Sequence, residues 1–220
     1  MRAAIPAYYG PGTYWDQSVA TTIKPAIMIM DVTTQGAGTS VNAALVAAAD
    51  AARAAGISLY GYIDTTYGAR AAVDVMTEVT NWGNWYGVTN FFLDQVQPDS
   101  AGVSYYTTVA ANIRAAVPGT SILLNQGTDM IEAYAAIGDI LIPYENTGAG
   151  YLAYTQPAWM DNYPANRFYH IVHTAASGNL ASYVAHAKTM NVGYLYITDD
   201  CGANPYDTLP AYWDTELGLL

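Results

Sequence analysis

Two acids stand out by residue type and setting. Asp94 closes the run Phe91-Phe92-Leu93, and Glu145 follows Ile140-Leu141-Ile142-Pro143-Tyr144. A carboxylate at the end of a buried apolar run must be paired, protonated or opened to a cleft, because an isolated charge is costly to bury. Two carboxyl groups facing one cleft are the minimal equipment for hydrolysing a glycosidic bond, one as acid and the other as nucleophile or base. Asp94 and Glu145 are therefore the expected catalytic pair. One version has Asp94 attack the anomeric carbon while Glu145 protonates the leaving oxygen and then activates water. The reverse assignment fits the sequence equally well.

Other polar residues follow apolar runs in the same way. Asp31, Asp64 and Asp199 could face the cleft, and each could equally cap a helix or tie down a loop. Asp64 opens the polar stretch Asp64-Thr65-Thr66-Tyr67-Gly68-Ala69-Arg70, whose Arg70 could hold a carboxylate in the cleft or serve a structural ion pair. His170 and His173 lie three apart on one run, so they point to opposite faces of a strand. His173, nearer the end, is the expected substrate contact and His170 a core residue. Tyr8, Tyr67, Gln95, Asn125, Tyr144 and Trp159 complete the expected substrate contacts. Trp159 is placed as a sugar platform in a long loop, whereas Trp82 and Trp85 read as packing. His173, Asp94, Glu145 and Asp199 lack the H-x-x-x-H or H-x-H spacing of metal ligands, so neither metal nor other cofactor is expected. There is no G-x-S-x-G, and Cys201, the single cysteine, carries no local signature of a catalytic thiol and excludes an intrachain disulfide.

Residues scattered over the whole chain can meet in one cleft only if the elements carrying them are arranged in a ring or a layer. Eight strand-like runs recur: Ala3–Tyr9, Ala26–Asp31, Ser58–Asp64, Asn90–Gln95, Ser121–Asn125, Asp139–Glu145, Phe168–Thr174 and Gly193–Asp199. Most are continuously apolar, the pattern of parallel strands covered on both faces. Helical periodicity fills Val41–Ala55, Arg70–Trp82, Val103–Val117, Leu180–Met190 and Pro210–Leu217, with a shorter piece at Met130–Ala136. Tyr14–Thr22 reads as one or two turns, and Thr147–Asn166 mostly as loop. Eight β/α units in order imply a single compact (β/α)8 barrel over residues 1–220, with its chemistry at the C-terminal ends of the strands. A doubly wound open sheet would show a G-x-G-x-x-G turn after an early strand, and Gly10-Pro11-Gly12 and Gly36-Ala37-Gly38 do not fit it.

The composition narrows the ligand. With 7 Lys+Arg against 18 Asp+Glu and a net charge of -11, little material exists for a basic patch, so nucleic acid is not an expected partner. An acidic chain attracts a cationic or neutral ligand instead. Twenty Tyr residues offer flat rings with hydroxyl tips, which suit the apolar faces and hydroxyl edges of sugars. No apolar run reaches the ~18 residues of a membrane span. Met1-Arg2 runs straight into the first strand without a signal-peptide pattern, so the expected extracellular role implies a trimmed leader or a phage-borne enzyme. Nothing in the sequence marks an interface, and a monomer is expected.

At these motifs the chain resembles the spherulin-4 family. The likeness rests on Ile5-Pro6-Ala7-Tyr8-Tyr9, on Gly56-Ile57 and Gly61 to Arg70, on Trp85-Tyr86-Gly87-Val88 running to Phe92-Leu93-Asp94, and on Asn204-Pro205-Tyr206-Asp207-Thr208-Leu209-Pro210. The resemblance implies a (β/α)8 barrel and endo-acting, configuration-retaining hydrolysis of α-1,4-linked galactosamine or N-acetylgalactosamine polymers. Family members carry an acidic pair at the end of strand four and a Glu at the end of strand six, which Asp94 and Glu145 match. Gln95 departs, standing where the family often has Glu, and a side chain that cannot ionise bears on the substrate more than on the reaction. Two alternatives stay open: the same chemistry on another microbial cell-wall or exopolysaccharide, and a catalytically inactive carbohydrate-binding barrel.

Overall fold

The computed structural model describes residues 1–220. Eight strands form a closed parallel barrel in chain order: β1 (Arg2–Ala7), β2 (Ile27–Met30), β3 (Ser58–Asp64), β4 (Asn90–Asp94), β5 (Ile122–Asn125), β6 (Ile140–Thr147), β7 (Phe168–His173) and β8 (Tyr194–Ile197). Around them lie α1 (Thr13–Ala20), α2 (Ala43–Ala54), α3 (Ala72–Tyr86), α4 (Val103–Ala116), α5 (Gly148–Tyr151), α6 (Leu180–Ala187) and α7 (Trp213–Leu219). All eight expected strands are present. The segment after β5 makes only a 3-10 turn, Glu132–Ala136, and the expected loop after β6 contains the one-turn α5 and two further 3-10 turns. No helix is long and apolar enough to cross a membrane.

Local chemistry accounts for the helices that flank the site. In α2 the Asn42 side chain accepts from the Ala44 and Leu45 N–H groups, and Leu45, Ala49 and Ala52 form the buried stripe. In α3 the buried stripe is Val75, Val79, Trp82 and Tyr86, and Gly87 stops the helix at φ 64°. Trp82 lies flat on Gly61 of β3: a Cβ built at Gly61 would sit 2.6 Å from the indole. Its Nε1 donates to the Tyr62 carbonyl at 2.9 Å, which fixes the strand that carries Tyr62 to the site. The expectation that Trp82 packs is met.

Strand β6 is irregular in a way that decides the site. Its register with β7 slips between Leu141 and Tyr144, on either side of Pro143. Pro143 cannot donate to the ladder, and an extra residue there is a bulge that exchanges which face each following side chain takes. Beyond the bulge Tyr144 turns to the outer layer, where its ring meets Tyr151, Tyr154 and His170. Glu145 turns to the barrel mouth. The barrel closes between β1 and β8, a seam held by only two register pairs, Arg2 with Tyr194 and Ala3 with Leu195.

Candidate active site

At the C-terminal mouth, three adjacent strands carry Asp94, Asn125 and Glu145. Asn125 is buried, and its single Nδ2 donates to Asp94 Oδ1 at 2.6 Å and to Glu145 Oε2 at 2.5 Å. Two oxygens within hydrogen-bond reach of one nitrogen lie no more than about 5 Å apart. Each carboxylate has a second donor on its other oxygen. Tyr62 Oη donates to Asp94 Oδ2 at 2.8 Å, and Tyr206 Oη, from the loop after β8, donates to Glu145 Oε1 at 2.5 Å. Burial, and then the negative charge of Glu145, push the Tyr206 hydroxyl well above its ordinary range, so it stays a donor.

No basic residue answers the pair. Burial pushes the Asp94 carboxyl up to about 6, helped by the charge of Glu145 and opposed by the Tyr62, Gln95 and Asn125 hydrogen bonds. Asp31, at the end of β2, is pushed up to about 7, chiefly by burial and additionally by Asp94, and its Oδ1 is buried without a partner. His173 is lowered by burial, so it favours the neutral form.

Two cavities meet at the carboxylates. The first, about 510 Å³, is lined by Tyr8, Asp31, Tyr62, His173 and the Gly202–Tyr206 loop together with Asp94, Gln95 and Glu145. The second, about 290 Å³, is lined by Tyr67, Asn125, Gln126 and Gly127 and shares Asp94, Gln95 and Glu145. A larger hollow of about 850 Å³ lies between α1 and α7, but Asp214 is the only acid lining it. The carboxylate pair thus opens at the mouth of the barrel, where this fold carries its chemistry, and not into the largest hollow.

Of the residues expected from sequence, Tyr8, Tyr67, Asp94, Gln95, Asn125, Glu145 and His173 come together here. Five do not. Arg70 pairs with Glu78 at 2.8 Å and donates to the Gln35 and Asp64 carbonyls, so its guanidinium ties the loops after β2 and β3 instead of entering the cleft. The Asp64 carboxylate is taken by the Thr66 N–H in a local turn. Tyr144 is turned outward by the bulge at Pro143. Trp159 packs on Tyr163 and on Phe168, the first residue of β7, and so stands at the opposite end of the barrel. Asp199 is exposed and lines neither cavity. His170 is core, with Nδ1 on Tyr151 Oη at 2.9 Å.

Sequence reasoning missed Tyr62 and Tyr206 and held Asp31 to be no better placed than Asp64 or Asp199. The signal for Tyr62 was available, since it is two residues before Asp64 and shares its face. Tyr206 sits on an irregular loop, where no periodicity points inward.

The family model described as spherulation-specific family 4 matches residues 2–220. Spherulin-4 of Physarum polycephalum is 27% identical over 230 residues, covering 98% of this chain and 69% of that protein. Among solved structures, Aspergillus clavatus Sph3 in complex with GalNAc superposes with a TM-score of 0.81 at 15% identity, covering 99% of this chain and 97% of that one. A chitinase from Rhizomucor miehei gives 0.60 at 10% identity, covering 98% of each chain. These structural likenesses establish the (β/α)8 fold.

Proposed function

The chain belongs to the spherulation-specific family 4, and from that premise we propose that it is a glycoside hydrolase, retaining and endo-acting, on an α-1,4-linked galactosamine or N-acetylgalactosamine polysaccharide. The observation that carries the reading is the Asn125 bridge: two carboxylate oxygens no more than about 5 Å apart favour the close pair of a double displacement, about 5–5.5 Å, over the about 6.5–9.5 Å that leaves room for a water and inverts. With the proton of the site moved from Asp94 to Glu145, Asp94 attacks the anomeric carbon as the Glu145 carboxyl protonates the leaving oxygen. A glycosyl ester on Asp94 results, and Glu145, now ionised, takes a proton from water as that water displaces Asp94. Tyr62 and Asn125 orient the attacking carboxylate, and Tyr206 orients the acid.

The endo reading is supported by cavities on both sides of the pair. The amino-sugar reading is supported by GalNAc in the Sph3 complex, and by a carboxylate pair that no Lys or Arg side chain pairs with, a setting that attracts a cationic sugar. Gln95 lines both cavities, and an uncharged group there favours a second reading, the same reaction on a different microbial glycan. We expect this chain to act outside the cell as a monomer.

The test is reducing-end release from a polysaccharide panel that includes acetylated and deacetylated galactosamine polymers, with the wild type beside Asp94→Asn and Glu145→Gln. Release that both substitutions reduce by roughly a thousandfold or more is the expected result. Binding of a glycan without any release would replace the enzyme by a carbohydrate-binding barrel.

A further inference from the structure

The second cavity has features that the double displacement does not require. Its rim residue Tyr67 leaves 59% of its surface exposed and sits at φ 53°, ψ 35°, directly after Thr66 at φ 48°. Gln95, beside Asp94, is likewise left-handed at φ 52°. Three consecutive-in-space residues without a glycine among them hold this backbone only because the surroundings over-determine it. The Tyr67 N–H donates to the Gln95 carbonyl at 2.7 Å, and that carbonyl also accepts from Thr65 Oγ1 and Tyr106 Oη. Tyr105 packs under Gly68, and its hydroxyl donates to the Arg70 carbonyl. The turn is thus braced from below while the ring it presents has almost no packing role.

The same cavity is lined by amide groups with unmet hydrogen bonds. Asn125 commits its Nδ2 to both carboxylates, which fixes the orientation of the amide and leaves Oδ1 buried with no donor. Oδ1 faces Gly127, where a Cβ would lie 3.9 Å from it and 3.5 Å from Glu145 Cβ. Gly127, at φ 65°, leaves that space open. Gln126, only 8% exposed, lines the same cavity with both atoms of its amide unpartnered. Apart from the shared carboxylates, every residue lining this cavity is uncharged. The first cavity differs, for it is larger, holds Asp31 and reaches Tyr8 and Tyr62.

From this asymmetry we infer that the second cavity is a leaving-group subsite for an uncharged sugar unit, stacked on Tyr67 and hydrogen-bonded through its hydroxyl or acetamido groups to Asn125 and Gln126. An acetamido group is the best chemical match, because it supplies a donor and an acceptor together, which is what Asn125 Oδ1 and the Gln126 amide lack. The first cavity takes the sugar whose anomeric carbon reacts. The inference rests on the proposed hydrolase activity and adds to it that the two sugars flanking the cut are recognised by different chemistry.

Two substrates separate this inference from the activity itself: a partly N-acetylated galactosamine polymer, which fills both cavities, and the corresponding galactosaminyl fluoride, whose leaving group is too small to fill the second. Tyr67→Ala should lower kcat/KM on the polymer by roughly tenfold or more beyond its effect on the fluoride, with Tyr67→Phe restoring most of the loss. The new non-reducing ends made by the wild type, read by mass spectrometry, should be enriched in acetylated units, and Gln126→Leu should erase that enrichment. Equal losses on polymer and fluoride, or ends with the bulk composition, would overturn the subsite while leaving the hydrolase standing. A wild type that cleaves neither substrate overturns both.

Discussion

The proton shared by Asp94 and Glu145 is the quantity on which the chemistry turns. One Asn125 nitrogen lies between the two acids, and the site needs a single proton to hold both a nucleophile and an acid. Burial and the charge of Glu145 hold the Asp94 carboxyl at about 6, so Asp94 gives up the proton of this site as pH rises past that value. The sign follows: kcat/KM should fall as pH rises through about 6, and a profile still rising between pH 6 and 8 would remove the shared-proton account. Tyr62 lowers this value by donating to the ionised carboxylate. Tyr62→Phe should therefore move the alkaline limb upward, by about half a unit to one unit, while kcat falls, a pattern that mere loosening of the fold would not produce. The same burial makes the charged carboxylate costly to the fold. A carboxyl raised above its unfolded value favours the folded state below the unfolded pKa and loses that advantage as pH rises through the folded one. Asp94→Asn should accordingly flatten the decline in melting temperature between about pH 4 and 7 while abolishing turnover.

At the level of elements, the legible and illegible parts of the sequence divide along regularity. The runs Phe91-Phe92-Leu93-Asp94 and Ile122-Leu123-Leu124-Asn125 are unbroken, so the side chains closing them could be placed at the mouth by alternation alone. Alternation failed on β6, where the bulge at Pro143 reverses the faces, and Tyr144 was expected in the cleft for that reason. It also failed for Trp159, because a loop between β6 and β7 must travel from the mouth to the base, and the 3-10 turn Ala158–Asn162 lies on the descending part. Of the two roles open to Arg70, the structural ion pair is the one formed, with Glu78 on α3 as its partner. The Gly61–Trp82 contact shows how an element outside the barrel governs the site. Gly61→Ala would drive a methyl into the indole, destabilising the fold by about 1–3 kcal/mol as overpacking usually does. Because Trp82 also anchors the Tyr62 carbonyl, kcat should drop with it, and a urea midpoint and activity both unchanged would show that α3 has room to retreat.

At the scale of the whole molecule, the barrel is only as closed as its last seam. β1 and β8 share two register pairs near their starts, and beyond them their backbone groups turn to side chains. The Ala4 carbonyl accepts from Tyr169 Oη at 2.7 Å, and the Ile197 N–H donates to Glu216 Oε1 at 2.9 Å. Glu216 comes from α7, so the final helix completes hydrogen bonding that the ladder leaves unmet. It is fully buried, its Oε2 has no partner, and desolvation raises its carboxyl well above the usual range against the single opposing Ile197 N–H. The neutral form is thus the native one. In the unfolded chain Glu216 ionises in the ordinary range, near 4.3, so the stabilisation is present at low pH and is lost as pH rises toward the folded value. A chain with net charge -11 already repels itself more as pH rises, so the wild type should lose melting temperature from pH 6 to pH 9 for both reasons. Glu216→Gln separates them. The amide oxygen still accepts from Ile197, and the side chain cannot ionise, so the variant should keep the part of the decline that added salt suppresses and lose the rest. If the two proteins decline in parallel at high salt, Glu216 is not the group that ties barrel closure to pH, and the seam is held by the packing of Trp213 and Leu217 alone.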